Sequence, residues 1–179
     1  MFKIILSVLL VAVLVVLGLA ASKPGTFQVQ RSSTIQAAPD KVFALINDFK
    51  RWPEWSPWEA LDPAVQRTHS GAASGPGAVY AWDGNKAVGA GRMEILQAQV
   101  PSKVLIKLDF IRPFEGHNTA DFTLAAGADS AQPSTTVTWL MQGPTPFVSK
   151  LMQVFVSMDS LIGKDFEAGL AQMKQVAEK

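Results

Sequence analysis

Apolar residues recur along the last part of the chain at Phe147, Leu151, Phe155, Met158, Ile162, Phe166, Leu170 and Met173, in steps of three and four residues. Steps of that size keep one stripe on a 3.6-residue helix. Lys150, Gln153, Ser157, Lys164, Glu167 and Lys174 fall off the stripe. Pro146 suits a first helical turn, where its missing N–H would have had no partner. The pattern predicts a single helix from Pro146 to Glu178, about 50 Å long if straight. Gly163 and Gly169 are its weak points for bending, at roughly 1 kcal/mol each relative to alanine. A stripe this long needs a broad apolar surface to lie against.

Period-two alternation predicts that surface. Residues 26–36 alternate Phe27, Val29 and Arg31 against Gln28, Gln30 and Ser32, and read as a strand near an edge. A helix follows over residues 38–49, opened by Pro39 and Asp40, with Val42, Phe43, Ile46 and Phe49 inward. Asp48 sits badly against that helix's dipole, which points to a tertiary partner such as Arg51 or Arg92. Residues 59–70 read as a polar linker or short strand, and 71–77 as a glycine-rich loop. Strands are expected at 78–83 and 86–97, joined by a Gly84-Asn85 turn, then at 103–110, 117–125 and 134–141. Turns fall at 112–116 and 127–133, and Gly143-Pro144 ends the sheet. One face carries Met93 and Ile95, then Val104, Ile106, Leu108 and Phe110, then Ala120, Phe122 and Leu124, then Val137, Trp139 and Met141. The order is strand, short helix, meander, long helix: an α+β layout with helices on one face of an antiparallel sheet.

From Ile4 to Ala21 no residue is charged, and only Ser7 and Gly18 interrupt the apolar run. At 1.5 Å per residue it spans roughly 27 Å, enough for a bilayer core. We read residues 1–25 as a membrane anchor and residues 26–179 as one domain. A cleaved signal peptide, leading to a secreted or periplasmic protein, is the alternative. A buried globular helix is disfavoured, because the run has no polar face. Lys3 on one side and Lys23 with Arg31 on the other leave the orientation open.

Composition narrows the chemistry. Net charge is +1, with no run of Lys or Arg, so no nucleic-acid partner is expected. The absence of cysteine removes disulfides, thiolate nucleophiles and Cys-bound zinc. His69 and His117 stand apart as solvated surface residues, and no metal or other cofactor is expected. Ser56 lacks a nucleophile-elbow pattern, and residues 71–77 lack the Lys-Ser/Thr ending that grips phosphate. Arg92 and Glu94, two apart on a strand, share a face and read as an ion pair, or alternatively as an arginine held for a ligand carboxylate. Asp159 borders the apolar stripe and reads as a helix-flank charge.

The run Ser33-Thr-Ile-Gln-Ala-Ala-Pro-Asp-Lys-Val-Phe-Ala-Leu-Ile-Asn-Asp-Phe49, followed by Trp52-Pro-Glu-Trp-Ser-Pro-Trp58, resembles the opening of the SRPBCC superfamily of START-like and polyketide-cyclase-like proteins. So do Gly84-Asn85, Gly89 to Ile95, Pro113-Phe114, Thr138-Trp139 and the stretch from Asp159 to Leu170. The resemblance runs from Thr26 to the end and implies the helix-grip fold, a curved antiparallel sheet wrapped on a long C-terminal helix. It says little about activity, since that superfamily holds lipid carriers, hormone receptors and cyclases. A ligand cleft between sheet and helix would be lined by Trp55, Trp58, Tyr80, Trp82 and Trp139, with Met93, Phe110, Phe155, Met158 and Arg92. The leading expectation is a membrane-tethered, non-catalytic binder of a lipid-like or other hydrophobic small molecule. A cyclase-like or aldolase-like enzyme would need acid and base groups, with Arg92, Glu94, Asp109 and Asp159 as candidates. A filled domain serving as a protein-interaction module at the membrane is the third.

Overall fold

Side chains that alternate along each strand segregate onto two faces, and here the strands pair edge to edge in one seven-stranded antiparallel sheet. The computed structural model describes residues 1–129 and 131–179. Helix α1 (Phe2–Ser22) leads into strand β1 (Thr26–Ile35), then α2 (Pro39–Asn47) and two 3₁₀ turns, Phe49–Glu54 and Glu59–Leu61. Strands β2 (Gln66–Gly71), β3 (Ala78–Asp83), β4 (Ala90–Gln99), β5 (Lys103–Arg112), β6 (Gly116–Ala126) and β7 (Thr135–Pro144) form the meander. Helices α3 (Phe147–Met152) and α4 (Met158–Ala177) close the chain. The spatial order β1-β7-β6-β5-β4-β3-β2 puts β1 at one edge and the exposed β2 at the other. The turn expected over 127–133 includes Ser130, which lies outside the described residues.

The alternation sorted the faces correctly. Met93, Ile95, Val104, Ile106, Leu108, Ala120, Phe122, Leu124, Val137, Trp139 and Met141 are all buried on the concave side. Helix α2, the aromatic segment after it and α4 cover that side, with Val42, Phe43, Leu45, Ile46, Phe49 and Trp52 packed into the same core as Phe166, Leu170 and Met173. The architecture is the helix-grip arrangement. Helix α1 is outside this core: Ala20 is its buried residue, and its length and apolar composition suffice to cross a bilayer.

The C-terminal stripe does not form one helix. The chain leaves α3 at Met152 and starts α4 at Met158, where Ser157 takes up an extended conformation and its hydroxyl accepts from the Ser160 N–H at 3.1 Å. A serine cap of this kind begins a helix and does not continue one. The break turns Phe155 out to solvent, 75% exposed. By contrast, α4 runs unbroken through both glycines. Each is a point of close approach: the Arg31 guanidinium lies over Gly163, and a Cβ on Gly169 would meet Pro57 Cδ at 3.0 Å and the Trp139 ring at 3.1 Å. Gly169→Val therefore forces side-chain atoms into both neighbours and is expected to destabilise by about 1–3 kcal/mol. Gly169→Ala should lose less, and urea midpoints of the two variants check the ranking.

Two local expectations are also corrected. Among the described residues Asp48 makes no ion pair with an arginine; its carboxylate accepts from the Lys50 N–H at 2.9 Å and opens the first 3₁₀ turn. Arg51 instead pairs with Glu54 at 2.9 Å. The β3–β4 connection is not a two-residue turn, since β4 begins only at Ala90. Asn85 Oδ1 accepts from the Ala87 N–H at 2.7 Å, and Gly89 closes the loop at φ 64°, a conformation glycine adopts without cost.

Candidate functional site: an apolar cavity under helix α4

Helix α2 ends at Asn47, so its last carbonyls lack intrahelical donors. Two buried indoles supply them. Trp52 Nε1 donates to the Ile46 carbonyl at 3.0 Å, and Trp55 Nε1 to the Leu45 carbonyl at 2.9 Å. This locks the aromatic segment against the sheet and fixes where the next residues go. Trp55 packs edge-on to Trp139 and Phe122 and is fully buried in the core. Trp58, further along, stands edge-on to both Trp139 and Phe166.

Beside Trp58 the sheet and α4 enclose a cavity of about 290 Å³. Its floor is buried Met93, Leu108, Ala120, Trp139 and Met141, and its roof on α4 is Ile162 and Phe166. Trp139 lies flat against Phe166, ring centres 4.0 Å apart and planes 4° from parallel, so one stack joins β7 to α4 at the cavity's edge. Trp82 forms a side wall. Its ring lies over Gly91, where a Cβ would collide with it, and its Nε1 donates to the Val88 carbonyl at 3.1 Å. Phe110 closes the wall edge-on to Trp82 at 5.9 Å.

A few polar groups reach this space. The Tyr80 hydroxyl donates to Glu59 Oε1 at 3.0 Å, and Arg67 donates to the other oxygen of the same carboxylate. Burial pushes the Tyr80 hydroxyl well above its ordinary value, and the Glu59 charge beside it pushes the same way, so it remains a donor. At the mouth, exposed Lys86, Ala87, Arg112 and Pro113 surround the opening, and Arg112 pairs with Asp83. Buried Asp62 accepts from the Asn85 N–H at 2.7 Å and holds the β3–β4 loop there.

Of the residues the sequence nominated, Trp58, Tyr80, Trp82, Met93, Phe110 and Trp139 line this cavity together. Four do not. Trp55 lies behind the cavity wall, with its N–H committed to α2. Phe155 projects to solvent past the break between α3 and α4. Met158 packs on the core from the start of α4, and Ile162, one turn on, takes the roof position. Arg92 faces the convex side, where Glu94 pairs with it at 2.8 Å.

The other proposed acid and base groups also stand elsewhere. Asp109 accepts from Lys107 at 2.9 Å and bonds His117 Nδ1 at 2.8 Å. That bond raises the exposed His117 imidazole above its usual value. Asp159 is held by Arg31 at 2.7 Å, and Glu167 by the same guanidinium at 2.6 Å. This clamp fastens β1 to the outer face of α4 and holds the Asp159 carboxyl below the usual range. Among the described residues no cluster of His, Cys, Asp and Glu has metal-binding geometry.

Residues 26–178 match the family model described as polyketide cyclase / dehydrase and lipid transport. No curated protein matches the sequence. Among solved structures, a protein from Thermobifida fusca superposes with a TM-score of 0.60 at 19% identity, covering 84% of this chain and 92% of its own. The protein XoxI from Bacillus cereus gives 0.59 at 18% identity, covering 84% and 94%. The di-domain ARO/CYC BexL from the BE-7585A biosynthetic pathway gives 0.57 at 14% identity, covering 90% of this chain and 53% of its own. At these identities the likeness is one of fold.

Proposed function

The chain belongs to the polyketide cyclase / dehydrase and lipid transport family, and from that premise we propose that it is a membrane-tethered binding protein for a hydrophobic small molecule. The ligand occupies the space between the sheet and α4, and α1 is the tether. The observation that carries this reading is the cavity itself: apolar floor and aromatic walls, with few polar groups. Its volume is at the lower end of the roughly 300–1,000 Å³ usual for small-molecule sites. That size suits one ring system or short chain, not both chains of a phospholipid.

Binding is favoured over catalysis by what the polar groups are doing. Glu59 is engaged by both Arg67 and Tyr80, and Trp82 by the Val88 carbonyl. These bonds stiffen the walls. The groups an acid–base mechanism would draw on are engaged outside the cavity: Arg92 and Glu94 pair with each other, Asp109 with Lys107, and Asp159 with Arg31.

Trp58, Trp82 and Trp139 report on this space directly. The full chain in detergent, titrated with a short-chain fatty acid, a short-tailed quinone and a lysophospholipid, should show saturable quenching or a shift of tryptophan emission with one class. A flat response to all three overturns the binding reading.

A further inference from the structure

The strand register places the cavity mouth relative to α1. Thr26 pairs with Pro144, Thr119 with Gln142, Phe110 with Gly116, Ala90 with Arg112 and Asp83 with Ala90. The end of β1 that follows α1 is therefore the same end of the sheet as the β3–β4 and β5–β6 turns. Those turns carry Lys86, Ala87, Arg112 and Pro113, the rim of the mouth. Helix α3 starts from this end too, directly after β7, and it packs against α1.

Beside these residues the same end of the sheet exposes large apolar side chains. Ile111 at the end of β5 and Phe114 on the β5–β6 turn are 62% and 75% exposed, and Phe147, Val148, Phe155 and Val156 on α3 and the turn after it are 48%, 74%, 75% and 41% exposed. At the opposite end of the sheet, the β4–β5 turn exposes Val100. Scattered exposed apolar residues need no explanation, but a set gathered at the end of the sheet that α1 enters, the end that also carries the cavity mouth, does.

Chain length decides what meets it. Only Lys23, Pro24 and Gly25 separate α1 from β1, and three residues reach at most about 11 Å. If α1 crosses the bilayer, the rim is held at the headgroup layer, with α3 beside the emerging helix. An aromatic and aliphatic surface there embeds about 5–10 Å into the boundary between headgroups and acyl chains. The charges on the rim are mixed, Lys86, Arg112 and Lys150 against Asp83 and Glu115, so apolar insertion and not attraction to anionic lipid is the driving term.

We propose that the rim formed by the β5–β6 turn, α3 and the turn following it is a bilayer-docking surface, so that the cavity opens onto the lipid and exchanges its ligand with the membrane without passage through bulk water. This rests on the reading of α1 as a membrane anchor.

The cysteine-free chain allows a direct test. The full-length protein is reconstituted in phosphatidylcholine vesicles with single nitroxide labels at Phe114→Cys, Val148→Cys and Phe155→Cys. Ala72→Cys and Ala126→Cys, exposed at the opposite end, serve as references, and Leu10→Cys reports on the anchor. Collision rates with oxygen and with a water-soluble nickel chelate are compared at each site. The expected result is an oxygen-to-chelate ratio several-fold higher at 114, 148 and 155 than at 72 and 126, with the highest ratio at 10. Water-like ratios at 114, 148 and 155 beside a lipid-like ratio at 10 overturn the docking proposal and leave the anchor standing. A water-like ratio at 10 overturns the anchor, and the docking proposal with it. The rim positions are exposed, so the substitutions leave the core intact.

Discussion

Phe166→Ala is expected to lower the stability of the domain by about 3–5 kcal/mol, the usual cost of deleting a buried phenyl ring. Phe166 is fully buried. It is also the contact through which α4 grips the sheet, stacked on Trp139 at 4.0 Å and met edge-on by Trp58 at 6.3 Å. The loss has three parts. The ring's transfer free energy goes, roughly 1.5–3 kcal/mol. The stacked pair is worth about 0.5–1.5 kcal/mol beyond its area. The void that remains merges with the existing cavity, so Trp139 loses a packing partner that nothing replaces. Against a total of about 5–15 kcal/mol for a domain of ordinary size, such a loss removes a large share. Urea unfolding of the full chain in detergent, followed by tryptophan emission, should give a much lower midpoint at an unchanged slope. A midpoint within experimental error of the parent would mean that α4 is not held through this stack. Phe166→Leu, which keeps most of the apolar volume, should recover part of the loss.

How far these features could be read from the residues alone follows from what each depends on. Strand faces depend on alternation, a local property, and the concave set from Met93 to Met141 was legible. So was an amphipathic C-terminal segment facing that set. The break between α3 and α4 was not, because the stripe counts apolar spacing, and the residues that restart the helix lie off it. Ser157 and Ser160 form the cap, and Asp159 is clamped by Arg31 from β1, 128 positions away. The cavity lining divided in the same way. Met93, Phe110 and Trp139 were found because strand parity aims them inward, and Trp82 because an indole was sought for the wall. Trp55 was misplaced because its orientation depends on the hydrogen bond to the Leu45 carbonyl, which no periodicity encodes. Glu59 was missed because its role comes from the long-range meeting with Tyr80 and Arg67, 21 and 8 positions along the chain. Arg92 forms the ion pair with Glu94 that one of its two readings gave, while its place in the cleft lining does not hold. Parity alone placed it opposite Met93, on the convex face.

Ala120→Phe is expected to remove ligand binding while leaving the domain folded. Ala120 is 3% exposed in the middle of β6, on the cavity floor between Ile106 of β5 and Met141 of β7. Its small side chain is one reason that the sheet and α4 leave a space there. An apolar cavity of about 150 Å³ accepts benzene, so a phenyl ring rooted on Ala120 fits within the 290 Å³ available. Overpacking a filled core costs about 1–3 kcal/mol. Here the ring enters empty apolar space, and its own burial offsets much of the strain. The predicted urea midpoint therefore stays close to the parent's, while affinity for whichever probe quenches the parent's tryptophans falls at least about tenfold, or roughly 1.4 kcal/mol. Thr119→Phe, one position along and facing the convex side, is the matched control and should bind as the parent does. Unchanged binding in a folded Ala120→Phe protein would place the ligand somewhere other than between the sheet and α4. A collapse in stability would mean that the floor has no room for the ring, and hence none for a ligand of that size.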